Sequence, residues 1–204
     1  MHIYRVNEIF YSLQGEGRNT GRAAVFVRFS GCNLRCAFCD TNFESFQEMT
    51  APDIVAAVRE KSNICKNPLP LIVLTGGEPT LQADDALVEL LHQAGYLVAM
   101  ESNGTLPPPK GIDWLTISPK SLGKGGTRYQ CDELKIVFDE KTPQQLTELE
   151  LPSDDDKSPL LYLQPCDTGD NIRNKHITAA CVDYIKQHPQ WRLSLQTHKL
   201  IGVE

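Results

Sequence analysis

The sequence predicts an α/β protein of one domain, spanning residues 1–204 and built on a partial, reduced β/α barrel of the TIM type. Three observations predict it. Short apolar runs alternate with amphipathic stretches, the pattern of parallel βαβ units. Several connections between strands, notably residues 103–114 and 118–133, are too short for a crossover helix. A closed eight-fold barrel typically needs about 250 residues, and this chain has 204.

Residues 24–29, rich in β-branched and aromatic side chains, form the first predicted strand. A helix starts at residues 50–58, with Thr50 or Ala51 near the cap and Pro52 in the first turn. Residues 71–75 read as a fully buried strand. Leu87, Leu90 and Leu91 fall at helical spacing within residues 83–94, and Gly95 stops that helix. Further strands follow at 96–101, 114–117, 133–138, 160–163 and 192–196, with helices near 142–149 and 172–187. The acidic, proline-flanked stretch 151–159 reads as a solvated turn.

Composition narrows the class. Hydrophobic residues make up 41% and charged residues 23%, ordinary values for a globular protein. No basic segment followed by an apolar one marks a signal peptide at the start, and no apolar run approaches the roughly 20 residues that span a bilayer. Seven cysteines without an export signal point to reduced thiols in the cytoplasm. A net charge of −6 with no basic stripe argues against a nucleic-acid partner. Cys65, Cys131, Cys166 and Cys181 are scattered and read as packed or bystander thiols.

Polar residues gather where predicted strands end: Cys32, then Thr75 to Glu78, Glu101 to Asn103, Ser118 to Lys120, Gln164-Pro165, and Gln196 to Lys199. In parallel α/β architectures those ends form the active-site face. The first group is the most specific. Cys32, Cys36 and Cys39 stand at C-x3-C-x2-C spacing. Electron-transfer iron–sulfur clusters normally take four thiolates, so three would hold three corners of a 4Fe–4S cube and leave one iron open to a ligand. The same thiols also suit a zinc site completed elsewhere, or small packed side chains. Spacing alone leaves these readings open.

After the next strand comes Thr75-Gly76-Gly77-Glu78-Pro79. A tight turn with Pro opening a helix explains it. So does a ligand lying against backbone that lacks Cβ atoms, with Glu78 accepting from an ammonium. The thiol loop after a first strand, with Gly-Gly-Glu-Pro after a second, resembles the signature pair of the radical S-adenosylmethionine (SAM) superfamily. The resemblance implies a barrel of the radical SAM type, with Cys32, Cys36 and Cys39 on a 4Fe–4S cluster and SAM chelating its open iron. One electron then cleaves SAM to methionine and a 5′-deoxyadenosyl radical, the cofactors carrying the hard chemistry.

Further residues narrow the resemblance: Ser12-Leu13-Gln14-Gly15-Glu16-Gly17 before the first predicted strand, Asp40-Thr41 after Cys39, Ile117-Ser118-Pro119-Lys120, Glu133-Leu134-Lys135, Leu163-Gln164-Pro165 and Gln196-Thr197-His198-Lys199. This set is similar to the 7-carboxy-7-deazaguanine synthases, lyases of queuosine and deazapurine biosynthesis, from about Val6 onward. That family converts 6-carboxy-5,6,7,8-tetrahydropterin to 7-carboxy-7-deazaguanine with loss of ammonia, regenerating SAM and assisted by Mg2+.

The resemblance assigns roles residue by residue. Leu13, Gln14, Gly15 and Glu16 face substrate, with Gln14 and Glu16 suited to the amino-pyrimidinone edge. Arg28 pairs with the substrate carboxylate through its planar fork. Thr75, His198 and the terminal carboxylate of Glu204 also approach substrate. Phe38, Cys39, Asp40, Gly77, Glu78, Ser118, Pro119, Lys120, Gln164, Pro165, Cys166 and Asp167 lie against SAM, and Cys166 is not expected to ligate iron. Thr41 is the implied Mg2+ ligand, since Mg2+ keeps waters and shares substrate oxygens. A homodimer and an electron donor such as flavodoxin or ferredoxin are implied as well. The cluster loop lacks the long insertion between its first two cysteines that some family members carry.

Two rivals remain at this level. A glycyl-radical-enzyme activase shares both signature motifs, but Gln14, Glu16, Arg28 and Thr41 suit a small carboxylated heterocycle. A zinc-binding structural module leaves the Gly-Gly-Glu-Pro turn and the polar strand ends unexplained.

Overall fold

The structure, a computed structural model, describes residues 2–39, 45–63, 68–121, 129–147, 149 and 158–203. Among these, nine strands form one sheet: β1 (Tyr4–Leu13), β2 (Ala23–Phe29), β3 (Gln47–Met49), β4 (Leu71–Gly76), β5 (Val98–Ser102), β6 (Trp114–Ile117), β7 (Glu133–Phe138), β8 (Leu160–Pro165) and β9 (Trp191–Leu193). Their order is β3-β1-β2-β4-β5-β6-β7-β8-β9. From β2 to β9 every neighbouring pair is parallel, while β1 runs antiparallel to β2 and β3. The sheet is the expected partial barrel.

Helices α1 (Ala51–Lys61), α2 (Asp85–Gln93), α3 (Thr142–Leu146) and α4 (Asn171–Gln187) serve the crossovers, and α5 (Thr197–Ile201) follows β9. As expected, the described residues of the two short connections, 103–113 and 118–132, contain no helix. Thr50 caps α1: its hydroxyl accepts from the Asp53 N–H, and the Asp53 carboxylate accepts from the Thr50 N–H, a reciprocal box.

The sheet has two unlike faces. Val25, Val27, Phe29, Ile72, Leu74, Met100, Leu134, Ile136 and Leu163 pack under Ile54, Val58, Leu87, Leu91 and Ile177 of the helices. On the strands' other face a small apolar group, Ala24, Leu71, Val73 and Ala99 with Phe26 and Trp114, lies beside polar side chains. That concave face holds the site.

β1 was not among the sequence-predicted strands. Its register shifts between Val6 and Glu8, leaving Asn7 unpaired. The bulge reverses the alternation. Tyr4 and Val6 face the helices before it, Ile9 and Tyr11 after it, and Glu8 and Phe10 therefore stand opposite Arg28 and Phe26. A period-two pattern broken in the middle hides the strand. The short β3 and α5 also went unpredicted, α3 is shorter than residues 142–149, and the last strand lies at 191–193 rather than 192–196.

Candidate active site

Above the concave face lies a cleft of about 560 Å³. All six groups of strand-end polar residues meet there, through Cys32, Thr75, Glu101, Ser118, Gln164 and His198 among others. Of the residues implied by the family resemblance, Leu13, Gln14, Gly15, Glu16, Arg28, Phe38, Gly77, Lys120, Pro165, Cys166 and Asp167 also line it, with Cys36 and Cys39. Asp40, Thr41 and Glu204, together with Cys65, lie outside the described residues.

Leu13-Gln14-Gly15-Glu16 does not precede the first strand; it follows β1. Because β1 is antiparallel, Leu13 pairs with Ala23 at the start of β2, and the loop begins at the opposite end of the parallel strands from the thiols. It then crosses to the far edge of the sheet. Gly15 O accepts from the Thr197 N–H and hydroxyl, Gly17 N–H donates to Ser194 Oγ, and Gln196 Nε2 donates to Glu16 Oε1. The ring of His198 packs on Gly15, where a Cβ would fall 2.1 Å from Nδ1.

At the centre of the cleft the buried Lys135 bonds Glu16 Oε2 at 2.5 Å and Glu101 Oε2 at 2.9 Å. Gln14 Nε2 donates to Glu101 Oε1, Gln164 Nε2 donates to Glu16 Oε1, and Ser194 Oγ donates to Gln164 Oε1. Burial opposes ionisation of Glu16, yet the Lys135 ammonium and the two glutamine amides prevail and lower its pKa to about 2. For Glu101 burial prevails, reinforced by the nearby Glu16 charge, and its pKa is raised despite Lys135. Lys135 itself is raised: burial disfavours its charge, but the two carboxylates outweigh that cost. Neither Glu101 nor Lys135 was singled out as a site residue. Both stand inside recognisable motifs, Glu101-Ser102-Asn103 and Glu133-Leu134-Lys135, and the missing signal is spatial, since β5 and β7 meet only through β6.

The rim carries the cation and thiol chemistry. Arg28 Nε bonds Glu8 Oε1 at 2.6 Å, and its guanidinium lies over Phe10, which stacks on Phe26. Lys120 Nζ donates to Ser118 Oγ at 2.8 Å, and burial and then Lys135 depress its pKa. The cysteine loop is tied down by Asn33, whose side chain accepts from Asn103 Nδ2 and donates to Thr105 Oγ1.

Gly-Gly-Glu-Pro serves the protein more directly than expected. Gly77 and Glu78 N–H groups donate to Phe29 O and Gly31 O, and a Cβ at Gly77 would stand 1.9 Å from Gly31 O. The missing Cβ admits the cysteine loop. Glu78 is buried away from the cleft lining, its oxygens accepting from Thr80 N–H and hydroxyl, Ser102 Oγ and Asn103 N–H. Its carboxylate thus braces the turn against the end of β5. Pro119 lines an adjoining side cleft of about 260 Å³ with Phe38 and Cys166.

The donor set fits the implied cluster. Burial raises the Cys36 pKa, Lys120 opposes that, and the neighbouring Cys32 and Cys39 add to the rise. Three soft thiol ligands gathered on one loop suit a cationic iron–sulfur core that takes up their charge. Among the described residues no three Cys, His, Asp or Glu side chains could hold a single metal ion. A cube gives each thiolate its own iron, so it needs no such common point.

A partial β/α barrel with three thiols on the loop after its first parallel strand defines a radical SAM enzyme, and the Radical SAM superfamily profile matches residues 26–122. The chain is 49% identical to the 7-carboxy-7-deazaguanine synthase of Bacteroides thetaiotaomicron over 98% of each chain. It is 42% identical to the enzyme of that name from Bordetella pertussis, over 98% of this chain and 99% of that one. The crystal structure of QueE from Escherichia coli superposes with a TM-score of 0.75 at 28% identity, covering 95% of this chain and 93% of the other. The chain belongs to the 7-carboxy-7-deazaguanine synthase family.

Proposed function

We propose that this chain converts 6-carboxy-5,6,7,8-tetrahydropterin to 7-carboxy-7-deazaguanine, releasing ammonia and using SAM catalytically. The observation that carries the reading is the meeting, in one cleft, of the three thiols with an acceptor set at Glu16 and Glu101 and a cation at Arg28. Cys32, Cys36 and Cys39 would hold the 4Fe–4S cluster, which when bound supplies the electron for SAM cleavage. Lys120 offers a cation, and Ser118 a hydroxyl, for the SAM carboxylate or ribose region. Arg28, its Nε held by Glu8, presents the rest of its fork to the substrate carboxylate. Glu16 and Glu101 accept from the amino-pyrimidinone edge. Gln14 and Gln164 spend their amides on those carboxylates and act through them.

The reading extends to Mg2+ held with the help of Thr41, to Glu204 reaching the substrate, and to a homodimer served by reduced flavodoxin or ferredoxin in the cytoplasm. Residues 1–204 are taken as one domain. Among the described residues no helix is long and apolar enough to cross a membrane. A cleft of this size suits a small molecule better than the protein partner an activase would need.

The test is anaerobic. The protein is reconstituted with iron and sulfide, reduced, and given SAM, Mg2+ and 6-carboxytetrahydropterin, with products followed by mass spectrometry. The expected result is 7-carboxy-7-deazaguanine with SAM largely unconsumed. SAM cleavage without a deazapurine would keep the superfamily and remove the reaction.

A further inference from the structure

Lys135 lies on β7 with its side chain only 5% exposed. Its two partners come from separate elements, Glu16 from the loop after β1 and Glu101 from β5. Two carboxylates drawn together in a buried site cannot both ionise unless a cation lies between them. An ionised carboxylate oxygen accepts two bonds. Among the described residues, Glu16 Oε1 is filled by Gln164 and Gln196, whereas Glu16 Oε2 and both oxygens of Glu101 each hold one protein donor. The pair therefore retains acceptor capacity on the residues that line the cleft.

We propose that Lys135 is the positioning residue of substrate recognition: its ammonium holds Glu16 and Glu101 side by side as an acceptor pair for a donor-bearing heterocycle. The proposal rests on the reaction assigned above and deepens it. Glu133, two residues earlier on β7, and Lys120, beyond β6, act electrostatically on the same group. His198 of α5 faces the cleft across Gly15. Among the described residues, Lys135 is the cation that bonds both carboxylates directly.

Two substitutions of the cluster-loaded enzyme test this, Lys135→Met and Lys135→Arg. Lys135→Met raises KM for 6-carboxytetrahydropterin by about tenfold or more near neutral pH, with KM for SAM little changed. Without the cation, one carboxylate keeps its proton at neutral pH and releases it only at higher pH. The variant's KM therefore falls as pH rises from about 6.5 to about 8.5, a range displaced upward from any fall in the parent's. Lys135→Arg, which keeps the charge, stays within about threefold of the parent. A Lys135→Met profile parallel to the parent's, or equal rises in KM for both substrates, overturns the proposal.

A second measurement needs no turnover. The Tm deficit of Lys135→Met widens as pH rises from about 5 to about 8, because its carboxylates then lose protons at a cost to the folded state. The double variant Lys135→Met/Glu101→Gln narrows that deficit. If Lys135→Met does not accumulate, the double variant is expected to; equal failure of both, or a deficit independent of pH, overturns the proposal. A parent enzyme that does not turn over the pterin removes the assigned reaction, and the Tm series still decides the role of Lys135.

Discussion

The Glu78 carboxylate gathers four hydrogen bonds from Thr80, Ser102 and Asn103, and Asn103 in turn holds Asn33 beside Cys32. Through that chain a residue away from the cleft fixes the cysteine loop. Glu78→Ala orphans buried donors, and each such loss costs about 1–3 kcal/mol. Urea unfolding of the cluster-free protein is expected to show a loss of about 3 kcal/mol, with lower iron content after reconstitution. Wild-type stability in Glu78→Ala would refute the brace. The sequence marks this turn as special, because two glycines and a proline around a glutamate have few ordinary uses. It does not reveal that the close neighbour is Gly31 O, since the two loops come together only through the pairing of β2 with β4. Lys135 was harder to read for the same reason: nothing in Glu133-Leu134-Lys135 indicates that two glutamates from other elements await its ammonium.

At the scale of elements, parallel strands and their helices were legible because each carries its own local pattern. The Thr50 cap is one case: Thr-x-x-Asp ahead of an apolar stripe specifies where α1 begins, and the reciprocal box forms there. Thr50→Ala is expected to lower stability by about 1 kcal/mol. A Thr50→Ser control should retain most of it, and equal denaturation midpoints for all three proteins would show that the box contributes nothing. β1 illustrates the opposite case. Its bulge at Asn7 turns Ile9 and Tyr11 toward the helices and Glu8 and Phe10 toward the cleft, so apolar residues occur on both parities. The irregularity that hides the strand also brings Glu8 to Arg28.

For the molecule as a whole, the interior of the barrel is charged where its exterior is apolar, and pH acts on that interior. Burial, reinforced by Glu101, raises Glu133 from 4.5 to about 7, although the Arg18 N–H stabilises its anion. A carboxyl held above its unfolded value favours the folded state when protonated. That advantage is complete below about pH 4.5 and is lost as pH rises through about 7. Glu133→Gln is expected to flatten stability across this window and to exceed the parent at about pH 8, relative to pH 5. Denaturation midpoints at the two values decide it: identical pH dependence in parent and variant would assign the trend to another group. The thiol loop and the strand-end residues made the site legible as a set, because strand ends converge in any such barrel. The crossing of the Gln14–Gly17 loop was not legible, because it depends on how far the open sheet curls.

That crossing also sets an order of events in biosynthesis. The bonds that secure residues 15 and 17 come from residues 197 and 194, with sequence separations of 182 and 177 respectively. Strands β1, β2 and β4 can pair as they leave the ribosome, since their partners are near in the chain. The Gln14–Gly17 loop, which lines the cleft, must wait until nearly two hundred residues have been made. A nascent chain can therefore present its thiols before the pocket that shields them exists, and insertion of iron and sulfur during translation would act on an unfinished cup.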